Sequence, residues 1–127
     1  MRTTFTVAQM LVRICGVLLL ILGLLIWAEG MSGLIPIHML LGLILVISMI
    51  VLGVAGIRLK LPVGLGVALI VGAVVVLWVG LSQDTTLNAG ANQWIVKVVH
   101  LVLGMAAVAM AEIAGGRLRR ASSVATA

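Results

Sequence analysis

Four apolar runs, each close to the length needed to cross a bilayer, fill most of the chain, and the segments between them are too short to fold alone. The runs cover about 7–27, 37–57, 62–81 and 94–114. At about 1.5 Å of rise per residue, each crosses a hydrocarbon core roughly 30 Å thick once. Hydrophobic residues make up 64% of 127 positions and charged residues 9%, with a mean hydropathy of +1.40, so the solvent for this surface is lipid. The expected fold is all-α: an integral membrane four-helix bundle running up, down, up, down, in a single transmembrane domain. The lipid bilayer is its first partner.

The connections have turn chemistry. Segment 28–36 holds Glu29, Gly30, Ser32, Gly33 and Pro36, and segment 82–93 holds Ser82, Gln83, Asp84, Asn88, Gly90 and Asn92. Residues 115–127 form a tail. Basic residues sort by side: Arg2, Arg13, Arg58, Lys60, Arg117, Arg119 and Arg120 fall toward one face, while Glu29 and Asp84 lie in the other pair of loops. Such asymmetry predicts a multi-pass protein of the cell inner membrane with both termini cytoplasmic and loops 28–36 and 82–93 outside. Because these charges are split among three segments, they do not form a surface for nucleic acid, and none is expected as a partner. Trp27, Trp78 and Trp94 fall at the outer ends of the runs, as interfacial anchors do.

Two further readings concern the first run. It lacks a small-residue cleavage site, so it is expected to be retained as a helix. Cys15 has no second cysteine and no preceding apolar region that would mark lipid attachment, which leaves it as a small packing residue. Arg13 and Glu112, in the inner parts of the first and fourth runs, either pair or let Arg13 extend to the headgroups, and extension is the expected outcome.

An internal repeat links the halves. His38-Met39-Leu40-Leu41-Gly42 opens the second run and His100-Leu101-Val102-Leu103-Gly104 recurs in the fourth; both runs end in a glycine followed by basic residues. Gly16, Gly23 and Gly30 in the first run correspond to Gly66, Ala73 and Gly80 in the third. The expectation is a duplicated two-helix hairpin with a pseudo-twofold axis along the membrane normal. Small residues at this spacing let helices approach closely.

Both histidines fall at equivalent places in the repeat. Counted from the basic ends, they should lie within about one turn of each other in height, facing across the bundle. Two imidazoles are the axial ligands of a low-spin b-type haem, and Gly42, Gly104, Gly23 and Gly72 would leave flat helix surface for a macrocycle. This arrangement resembles membrane b-type cytochromes, in which histidines from alternate helices hold the haem. The resemblance implies haem b on His38 and His100, with Lys97, one turn from His100, near its propionates. The same histidines are the candidate ligands of a Zn or Cu ion, although two ligands do not complete a tetrahedral shell; with no cofactor, His38 caps the second run just after Pro36 and His100 hydrogen-bonds a neighbouring backbone or a water near the interface.

The Pro36, His38, Leu41, Gly42 entry to the second run and the Trp94, His100, Leu103, Gly104 entry to the fourth are similar to those of small bacterial four-helix membrane proteins of unassigned function. That likeness implies a fold and no activity. Three functions follow as alternatives. One is an electron-transfer module, a one-haem membrane cytochrome. Another is a cofactor-free accessory subunit of a larger membrane complex or a homo-oligomer. A third is a small transporter; the four-helix multidrug exporters place a glutamate deep in the first helix, whereas residues 17–26 here are apolar apart from glycine. Spacing assembles no nucleophile, base and orienting group for hydrolysis or group transfer.

Overall fold

The computed structural model describes residues 1–125. Four helices carry the chain: α1 (Arg2–Ala28), α2 (Ile35–Arg58), α3 (Val63–Ser82) and α4 (Gln93–Ala125). All four are long and apolar enough to cross a membrane. The helices alternate in direction, so the termini and the α2–α3 connection share one end, and the α1–α2 and α3–α4 connections share the other. α4 runs on past the apolar stretch to Ala125, so the described part of the tail continues the helix.

Each connection is set by local chemistry. After α1 the chain turns at Gly30 in the left-handed region, φ +66°, and a 3-10 turn at Ser32–Leu34 leads into α2. Pro36 occupies the first turn of α2, where its missing N–H breaks no helical bond. At the far end of α2 the Leu61 N–H donates to the Gly56 carbonyl and the Lys60 N–H to the Ile57 carbonyl, both at 3.0 Å, a Schellman closure with Lys60 at φ 64°. Leu61 folds back into the core and Pro62 bars further helix. The longer α3–α4 connection is pinned by Gln93, whose Nε2 donates to the Gln83 carbonyl at 2.7 Å while its Oε1 accepts from the Ala89 N–H at 2.8 Å.

Around the bundle each helix packs on its chain neighbours and α4 closes the ring against α1; α2 and α4 also touch across the diagonal, whereas α1 and α3 do not. The core is Phe5, Ala8, Val12 and Cys15 of α1, Leu45, Val46, Met49, Leu52 and Ala55 of α2, Leu69 and Ala73 of α3, and Ala107, Ala111 and Ala114 of α4. Large side chains on α2 thus meet alanines on α4, which fills the diagonal without overcrowding it. Buried Ser48 returns its hydroxyl to the Ile44 carbonyl at 2.7 Å.

The repeat is visible in three dimensions, with one correction. Leu45, Met49, Leu52 and Gly53 of α2 and Ala107, Ala111, Ala114 and Gly115 of α4 are buried at one constant offset in number. Gly53 lies against the Gly66 carbonyl of α3, and its mate Gly115 lies against Gln9 of α1. Gly23 meets His38 as Gly80 meets His100. In α1 and α3 the equivalent pairs are therefore Gln9 with Gly66, Gly16 with Ala73 and Gly23 with Gly80. The register read from the sequence is seven residues off, because a seven-residue spacing matches itself after a shift of one repeat. Gly30 belongs to the turn and has no helical mate.

The α2–α3 crossing sets a test. A Cβ at Gly53 would stand 2.7 Å from the Gly66 carbonyl oxygen, which is backbone and cannot move aside, whereas a Cβ at Gly64 would meet nothing within 4 Å. Gly53→Ala is expected to cost about 1–3 kcal/mol by forcing the helices apart, and Gly64→Ala to be neutral or slightly stabilising. Midpoints of unfolding in a graded mixture of mild and denaturing detergent measure both.

Candidate functional site

Above the last large core side chains, toward the end with the α1–α2 and α3–α4 turns, the interior passes to His38 of α2 and His100 of α4. Their ring centroids are 6.4 Å apart and their planes are inclined at 53°. The two stand level, without the turn of offset counted from the sequence. Under the register of the fold, His38 precedes Arg58 as His100 precedes Arg120, so no offset arises.

Each ring is admitted by a glycine on the preceding helix. A Cβ at Gly23 would sit 3.4 Å from the His38 Cε1, and one at Gly80 would sit 2.9 Å from the His100 Cε1. Both Nδ1 atoms are buried and have no hydrogen-bond partner. An unpaired polar atom in the interior is costly, roughly 1–3 kcal/mol, and native structures hold few of them. Gly42 and Gly104, one turn along the same faces as the histidines, have nothing within 4 Å of a Cβ position.

The remaining candidates divide. Lys97 lies one turn from His100 toward the start of α4 and is partly exposed. Gly72 is elsewhere: it faces the Met110 and Met49 methyl groups in the core, about two turns along α3 from the level of Gly80. The residue sequence reasoning left out is Gly80. Its signal was present in the seven-residue spacing Gly66, Ala73, Gly80, but only the correct register pairs it with Gly23. Among the described residues, no group of three or more His, Cys, Asp and Glu is placed to hold a metal ion. Cys15 is buried in the core.

A second polar cluster joins α1 to α4 lower in the bundle. Arg13 donates from Nε and Nη2 to the two oxygens of Glu112, both at 2.5 Å, and buried Gln9 donates from Nε2 to Oε2 at 3.4 Å. The expected extension of Arg13 to the headgroups is thus replaced by a side-on, two-bond pair. A carboxylate on the neighbouring helix matches the guanidinium fork and neutralises it within the span, which extension alone does not.

Fold and sites together define a small multi-pass membrane protein with two histidines facing each other inside its bundle. Comparison with protein families, curated proteins and solved structures gives no match, so the site is read from its geometry.

The glycines beside the rings differ in tightness, which makes them separable. Gly80→Ala must displace the His100 ring, whose flexible end yields cheaply, so the fold should survive while the ring moves; Gly23→Ala makes an ordinary contact and should leave His38 in place. Imidazole 15N and 13C shifts of the two histidines in detergent are expected to change for His100 in the first variant and to stay near wild type in the second.

Proposed function

We propose that this chain is a one-haem electron-transfer module of the cell inner membrane, with His38 and His100 as the axial ligands. The observation that carries the reading is the facing pair of imidazoles. With centroids 6.4 Å apart, two imidazoles from different helices come within reach of one bound group. Two protein ligands suit a macrocycle that brings its own four equatorial nitrogens; a bare Zn or Cu ion needs further ligands, and the described residues hold no group of three.

The surroundings support the same reading. His38 and His100, which would hold such a group, stand on the α2–α4 diagonal, and α1 and α3 do not touch each other. Gly42 and Gly104 leave open helix surface beside the histidines, and each Nδ1 is left without a partner from the chain. Bound haem supplies one-electron exchange. The chain's own residues would hold it: His38 and His100 as ligands, with Gly23 and Gly80 admitting the edge of each ring, the apolar spans excluding water, and Lys97 offering a cation to its propionates. The basic residues at the opposite end favour cytoplasmic termini, which puts the site nearer the outer face.

An absorption spectrum tests this reading. Protein purified in detergent after expression with added haem is expected to show a Soret band and, after dithionite, sharp α and β bands. His38→Ala and His100→Ala should each abolish haem retention with helical content unchanged. A folded wild-type protein without these bands, or haem kept by both variants, overturns the assignment and leaves a cofactor-free accessory subunit as the reading to pursue.

A further inference from the structure

The cluster of Arg13, Glu112 and Gln9 is not used by the histidine site, and its setting is unusual. Arg13 lies about three turns from the start of α1, and its pair with Glu112 is on the side of the bundle, with side chains 47% and 36% exposed. A guanidinium carries five N–H donors. Nε and Nη2 are committed to Glu112, and those on Nη1 have no acceptor among the described residues. Lipid tails supply neither an acceptor nor a counter-charge, and ionisable groups in spans characteristically face protein or water.

Internal packing does not require the pair. Under the register of the repeat, Arg13, Glu112 and Gln9 on the α1–α4 seam correspond to Ile70, Ile50 and Gly66 on the α2–α3 seam. The same helix crossing is thus closed elsewhere by apolar side chains and glycine. The charges set this seam apart from its counterpart, and α1 and α4 are also the least covered of the four helices.

We infer that the α1–α4 face is where a second copy of this chain docks, around a twofold axis along the membrane normal. Two copies in one membrane share an orientation, so such an axis sets α1 of each against α4 of the other. Arg13 and Glu112 are side by side, and the rotation brings Arg13 of one copy to Glu112 of its mate. The pair is its own electrostatic complement. The spare Nη1 donors then gain carboxylate oxygens, and four charges neutralise one another away from lipid. Along α4, Ala109 and Gly116 lie on the Glu112 face one turn to either side, small enough to let helices approach; on α1, Met10 and Val17 flank Arg13 and are exposed. This inference is independent of any cofactor.

Two differently tagged copies, co-expressed and purified in mild detergent, test it, with sedimentation equilibrium giving stoichiometry. The wild type is expected to form mixed-tag dimers. Ala109→Trp leaves the charges untouched and should weaken dimerisation about tenfold or more, while Val71→Trp on the exposed side of α3 should not. Arg13→Gln and Glu112→Gln should each weaken self-association, and a mixture of the two variants should regain it, because one pair between copies survives though neither chain keeps its internal pair. A monomeric wild type, a dimer indifferent to Ala109→Trp, or no regain in the mixture overturns the proposal. The tryptophan variants carry the test if the charge variants fail to insert.

Discussion

A hydrocarbon solvent offers no partner to a backbone N–H or C=O, and the rest of this structure follows from that constraint. Every span must satisfy its own backbone, which makes it a helix, and with lipid as apolar as leucine the helices associate through close packing. Gly53 against Gly66 shows the consequence: backbone meets backbone where any side chain would intervene. α2, which makes this approach on one side and packs on α1 on the other, becomes the central helix and carries the most large core residues. α4 supplies the matching alanines.

The same constraint explains which features were legible in the sequence. Span number and approximate extent follow from hydropathy, because lipid reads apolar length directly. The pairing of His38 with His100 was legible because two rare polar residues at equivalent repeat positions leave few alternatives in an alternating bundle. The helical register was not. Glycine spacings in α1 and α3 repeat every seven residues and align equally well one repeat apart, so spacing pairs Gly23 with Ala73 where the contacts pair it with Gly80. Contacts between helices decide the register, and those contacts are side-chain volumes that no single helix encodes.

Arg13 was misread for a related reason. From one helix its long side chain has a headgroup within reach, and extension looks sufficient. The competing partner, Glu112, lies almost a hundred positions away, and its height relative to Arg13 depends on how α4 slides against α1. That slide is fixed by Gly115 accepting the bulk of Gln9, so a residue chosen for shape sets the electrostatics of its neighbours.

The internal repeat gives this bundle two seams in equivalent positions, and they are built from different residues. One seam is closed by glycine and isoleucine and is complete within the chain. The other carries an arginine, a glutamate and a glutamine where the first has Ile70, Ile50 and Gly66, and it satisfies them only in part. The histidines face each other across the middle of the repeat, where equivalent residues from both halves meet, and they remain alike. A position where equivalent residues of both halves meet ties them to one another; a contact at one seam involves only one of each pair. The symmetry of the histidine pair and the asymmetry of the charged pair therefore reflect what each position has to meet: a shared interior in one case, and a surface that only one side of the bundle presents in the other.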